Sequence, residues 1–142
     1  MSKKNVAIVS HDSGGAEILS SWLNHNYCNA HVVAKGPAKK IFKSKCAQVK
    51  FLELNDALNR SSWLLAGTGW QTNFEIQAIS KARKLGIKTV AFLDHWVNYR
   101  ERFKFNGSEI LPDEIWVGDR DAETLASNIF REIPKNASKS LF

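Results

Sequence analysis

The stretch "VAIVSHDSGGAEIL", residues 6–19, decides how the chain is read. Val6–Val9 is a short apolar, β-rich run, the pattern of a buried strand. After Ser10-His11-Asp12-Ser13 and the adjacent Gly14-Gly15, residues Ile18, Leu19, Trp22 and Leu23 fall on one helical face. That spacing predicts a helix over Ala16–Asn24. An apolar strand that passes through a glycine turn into a helix is the opening unit of a parallel α/β sheet.

The unit recurs along the chain. Ala30–Ala34 reads as a second strand, and Gly36-Pro37 opens a lysine-rich helix carrying Ile41 and Phe42. Phe51–Leu54 is a short third strand, followed by Asn55 and Asp56 as caps of a helix over Ala57–Asn59. Trp63–Ala66 is a fourth strand, ended by Gly67-Thr68-Gly69. Phe74, Ile76, Ile79, Ala82 and Leu85 recur at helical spacing over Asn73–Leu85, and Gly86 stops that helix. Ile87–Leu93 and Glu114–Val117 supply a fifth and sixth strand, and Asp121 caps a last helix to Phe130. Apolar strands alternating with crossover helices predict an α/β fold: a three-layer, Rossmann-like, doubly wound, mainly parallel six-stranded sheet of order 3-2-1-4-5-6. Residues 1–132 are expected to form one domain and residues 133–142 a polar C-terminal tail.

Composition limits the classes. The 142 residues are 44% hydrophobic and 24% charged, enough for one domain with its own core. No apolar run approaches the roughly 18 residues of a membrane span, and Met1–Asn5 leads into too short an apolar run for a signal-peptide core. A cytoplasmic location and two free thiols, Cys28 and Cys46, are therefore expected. The net charge of +6 comes from lysines clustered over residues 35–50 and from Lys81, Arg83, Lys84 and Lys88. These read either as solvated helix faces or as a surface for anions. No RNP-like or helix-turn-helix pattern supports nucleic-acid binding.

In an open parallel sheet the ligand crevice lies beyond the carboxyl ends of the strands, at the point where strand order reverses. With order 3-2-1-4-5-6 that point lies between the first and fourth strands. Both glycine-rich loops would face it: Ser10-His11-Asp12-Ser13-Gly14-Gly15 and Gly67-Thr68-Gly69-Trp70 with Gln71 and Thr72. Such loops cradle anions on helix N–H groups. Yet "SGGAE" is neither GxGxxG nor GxxxxGK[ST], and a plain tight turn is the other reading. Beyond the fifth strand, "LDHWVNYRERF" gathers Asp94, His95, Trp96, Tyr99, Arg100 and Arg102. Asp94 would orient His95 as a general base or cap a helix starting there, and Arg100 or Arg102 would clamp a phosphate or carboxylate. His11 is a second candidate base, and Asp119, after the sixth strand, borders the same edge. Neither a metal nor an organic cofactor is expected.

"HDSGGAEIL", "GTGWQTNFEIQAISKARKLGIKTVAFLDHWVNYRERF" and "LPDEIWVGD" together resemble the N-terminal Rossmann half of GT-B-type glycosyltransferases. They also look like related polysaccharide-biosynthesis and UDP-N-acetylglucosamine 2-epimerase-like proteins. The similarity is one of pattern and covers roughly residues 5–130. It implies a glycine loop at Ser13, Gly14 and Gly15 facing an interdomain cleft, a second wall at Gly67–Trp70, and a nucleotide-sugar or sugar-phosphate ligand. It also implies that a second domain, a partner subunit or another copy of the chain supplies the usual donor-binding residues. The alternative is a non-catalytic binding or assembly module, with Trp70, Trp96 and Tyr99 as its interface.

Overall fold

The structure is a computed structural model and describes residues 5–26, 28–46, 48–69, 73–93, 103–117 and 135–137. Four strands lie close to the positions read from apolar runs, β1 (Asn5–Ser10), β2 (Asn29–Ala34), β4 (Trp63–Ala66) and β5 (Lys88–Leu93), whereas β3 is Lys50–Phe51, sharing only Phe51 with the run Phe51–Leu54. The helices between them are α1 (Ser13–His25), α2 (Pro37–Lys45), α3 (Leu54–Asn59) and α4 (Phe74–Lys84). A hairpin, β6 (Lys104–Phe105) and β7 (Ser108–Glu109), precedes β8 (Glu114–Val117), so the sixth strand of the sequence reading is β8. The main sheet runs β3-β2-β1-β4-β5-β8, the doubly wound order, and every neighbouring pair is parallel.

A seventh strand, β9 (Lys135–Ala137), pairs in parallel with β8 inside the stretch read as a polar tail. Main-chain pairing at a sheet edge needs no apolar run, so residue pattern does not announce a three-residue edge strand. The last predicted helix, Asp121–Phe130, lies outside the described residues.

The continuous apolar strands follow from burial on both faces. In β1, Val6 and Ile8 pack with Ala16, Leu19 and Trp22 of α1 and Ala38 and Phe42 of α2. Ala7 and Val9 point the other way, onto Ala57 and Leu58 of α3 and Ile76, Ala78, Ile79 and Ala82 of α4. Phe103, fully buried, anchors the hairpin on the α4 side. Three indoles meet on the α1 side: Trp22 lies 5.7 Å from both Trp63 and Trp116, which are 6.0 Å apart. The lysines of α2 and the cations of α4 are exposed, as solvated helix faces require. Both cysteines are free and line one cavity of about 260 Å³ with Leu23, Asn24 and Lys45.

Local boundaries moved where caps dominate. α1 starts at Ser13 rather than Ala16, so Gly14 and Gly15 form its first turn. α3 starts at Leu54 with Glu53 at the cap position, placing Asn55 and Asp56 inside the helix. Gly86 ends α4 at φ +75°, and a Cβ there would touch nothing within 4 Å. Gly86→Ala is therefore expected to cost only the backbone term, about 1 kcal/mol, read from urea denaturation midpoints. A loss several times larger would mean that the turn is packed against something else.

Candidate functional site

The carboxyl ends of β1 and β4 are adjacent, and their loops touch. Gly67 N–H donates to Val9 C=O at 3.0 Å, continuing the β1–β4 ladder one residue past β4. A Cβ on Gly15 would lie 3.8 Å from Gly67 Cα. The two glycine loops thus form one contact surface at the switch point.

Asp12 is the N-cap of α1, in extended conformation at φ −84° and ψ 160°. Its Oδ2 accepts from Gly15 N–H at 3.4 Å, and its carbonyl accepts from Ala16 N–H at 3.1 Å. A helix N-terminus favours negative charge. Here the chain supplies that charge itself, from the residue just before the glycines.

The second wall brings a residue that the sequence reading did not single out. Glu75, in the first turn of α4, is 1% exposed. Its Oε2 accepts from His11 N–H at 3.2 Å, tying α4 to the β1 loop. Its Oε1 is buried and has no hydrogen-bond partner among the described residues. Gly67 and Gly69 leave room for this carboxyl: a Cβ on Gly67 would lie 2.9 Å from Oε2, and one on Gly69 3.1 Å from Oε1 and 3.4 Å from Asp12 Oδ1. Burial, reinforced by the Asp12 charge, pushes Glu75 from 4.5 up to about 7, against the pull of the His11 and Gly69 N–H groups. An acidic group in this range exchanges its proton near neutral pH, the property required of an acid or base in a reacting site.

Around this floor stands a rim of aromatic and basic side chains. The His11 ring lies 6.2 Å from the Phe74 ring, and Lys35 Nζ stands 5.2 Å from the Phe74 centroid. Gly36, at φ +58°, presses against His11, since a Cβ there would lie 3.1 Å from Nε2. Loops after three strands, β1, β2 and β4, therefore converge on one edge.

Of the residues expected at the site, Ser10 ends β1, His11 and Asp12 join it to α1, Ser13, Gly14 and Gly15 form the first turn of α1, and Gly67, Thr68 and Gly69 follow β4. Ser10 is fully buried, and its Oγ has no hydrogen-bond partner among the described residues. Thr68, also buried, donates its hydroxyl to Phe92 C=O at 2.8 Å and so fastens the β4 loop to β5. Trp70, Asp94, His95, Trp96, Tyr99, Arg100 and Asp119 lie outside the described residues. Among the described residues, no three His, Cys, Asp or Glu side chains are grouped to hold a metal ion.

Glu75 had a signal in the sequence. With Ala78, Ile79 and Ala82 it occupies the buried stripe of α4, where a charged residue is out of place unless it has a task. Lys35 and Phe74 carried no comparable signal, because only the fold brings them beside His11. Compared with protein-family models, with curated proteins and with solved structures, the chain has no match.

Proposed function

We propose that the chain is a glycosyltransferase-like domain of sugar-nucleotide or polysaccharide metabolism, binding a phosphate-bearing sugar in the crevice between β1 and β4. The observation that carries this reading is the meeting of the two glycine loops over the Asp12 and Glu75 carboxyls. Carboxyls are common partners of sugar hydroxyls, because one group accepts several hydrogen bonds. The Lys35–Phe74–His11 rim offers a cation for phosphate and ring faces for stacking. His11 and Glu75 are the described acid–base candidates, and Asp94 and His95, read from their place after the fifth strand, are the candidates outside the described residues.

Calorimetry with UDP-, GDP-, CDP- and dTDP-linked sugars tests the reading. At least one is expected to bind with a dissociation constant in the micromolar to millimolar range. No heat with any of them would overturn it.

A non-catalytic assembly module is the second reading. It is favoured by Trp63 and Trp116, which remain half-buried on the α1 side of the sheet. Sedimentation showing a strict monomer at high concentration would count against self-assembly through that surface.

A further inference from the structure

We propose that the floor of the crevice, between Gly67, Gly69 and the carboxyls of Asp12 and Glu75, receives the hydroxyl- or amine-bearing ring of the ligand, and that its phosphate lies outside, at the rim beside Lys35. This rests on the crevice reading above and adds an orientation to it.

The direction follows from which hydrogen-bonding groups are already engaged. Five donors around the floor are committed within the protein: Gly15 N–H to Asp12, His11 N–H to Glu75, Gly67 N–H to Val9 C=O, the Thr68 hydroxyl to Phe92 C=O, and Gly69 N–H toward the Glu75 carboxyl. What the floor holds in excess is acceptor capacity. Glu75 is 1% exposed, and its Oε1 completes no hydrogen bond among the described residues, with only the nearby Gly69 N–H favouring the charge of the carboxyl on that side. A buried acceptor without a donor is rare in native proteins and marks a place where a donor belongs. Both Oε1 and Asp12 Oδ1 crowd the same point, 3.1 and 3.4 Å from where a Gly69 Cβ would stand. A phosphate brought there would meet two acidic groups and a helix N-terminus whose Gly15 amide Asp12 already holds.

Charge on the rim has the opposite sign. Lys35 is exposed and stands over Phe74, the residue next to Glu75 in the chain. The titratable groups about Glu75 among the described residues are Asp12, whose charge opposes its ionisation, and His11, whose main-chain N–H favours it. Lys35, whose Nζ stands 5.2 Å from the Phe74 centroid, is not among the charges acting on Glu75.

A donor entering the floor binds the ionised Glu75 carboxylate best, so binding displaces its proton. With that group titrating at about 7, affinity for a ring seated at the floor is expected to rise about tenfold from pH 6 to pH 8. An anion seated there would show the reverse trend.

The test is NMR titration of the labelled full chain, following the Glu75 carboxyl carbon and the Gly15 and Gly69 amides as floor signals and the Gly36 amide as a rim signal. The probes are UDP-glucose, UDP, glucose, glucosamine, inorganic phosphate and magnesium ion. UDP-glucose is expected to move floor and rim signals, with affinity increasing with pH. UDP and phosphate should move the rim alone. Lys35→Ala should weaken UDP-glucose about tenfold, the size of one charge-assisted contact, and leave glucose and glucosamine unchanged. Glu75→Gln should abolish the pH trend, and the parent's own trend tests the idea even where that variant fails to fold.

Phosphate or UDP moving the Glu75 and Gly15 signals, more tightly at low pH, would overturn the orientation while leaving the crevice reading intact. Magnesium alone moving the Glu75 carboxyl in competition with protons would overturn it in favour of a cation site. Silence of floor and rim with every probe would overturn the crevice reading itself.

Discussion

At pH 8, Glu75→Gln is expected to be about 3 kcal/mol more stable than the parent, and near pH 4 the two should be nearly equal. Glu75 titrates at about 7 in the folded chain against 4.5 for the ordinary group. The folded state therefore binds the proton more tightly than the unfolded state. Stability from this group is fully present below about pH 4.5 and is lost as pH rises through 7, after which the curve levels. The shift from 4.5 to about 7, at about 1.4 kcal/mol per pKa unit, gives the figure of about 3 kcal/mol. Gln retains an oxygen to accept from His11 N–H and carries no charge to bury. Urea denaturation of both chains at pH 4, 6, 7 and 8 reads the difference directly. An equal gain at every pH would assign the effect to packing instead of charge.

Gly67→Ala is the second large effect, about 3 kcal/mol of destabilisation. The new Cβ would stand 2.9 Å from Glu75 Oε2, the oxygen that accepts from His11. Relieving the clash must move a buried carboxyl and loosen a hydrogen bond to a group that carries charge over part of its titration, so overpacking and a weakened polar contact add. The cause is checked by repeating the substitution in a Glu75→Ala background, where the oxygen is gone. There the cost should fall to a few tenths of a kcal/mol, a coupling expected only for groups in contact. Gly69→Ala, with its nearest oxygen at 3.1 Å, should fall between Gly67→Ala and Gly86→Ala. Equal costs in both backgrounds would show that Gly67 is required by the backbone and not by Glu75.

What could be read in advance divides along physical lines. Strand positions were legible because burial on both sheet faces leaves uninterrupted apolar runs such as Val6–Val9 and Trp63–Ala66, while their order came from the doubly wound pattern that alternating strands and helices favour. The meeting of the glycine loops followed from that order alone. Glu75 breaks the apolar periodicity of α4, so an acid on the buried stripe is indistinguishable by spacing alone from a gap in it. α1 starts three residues before the apolar spacing predicts, because the Asp12 cap holds a turn containing two glycines that by themselves disfavour a helix. The hairpin turns at Asn106-Gly107, at φ 53° and 77°, the favoured two-residue turn. Its flanking strands are only two residues each, too short to show alternation.

The Trp22–Trp63–Trp116 group gives the chain a built-in optical gauge. Indoles this close exchange excitation energy, so their near-ultraviolet circular dichroism and fluorescence depend on mutual angle, here 85° for Trp22 against Trp63. Trp22 rides on α1, the helix that begins at Asp12, while Trp63 and Trp116 belong to β4 and β8. A tilt of α1 caused by events at its capped end would change the coupling at the indoles, allowing the crevice to be followed without a label.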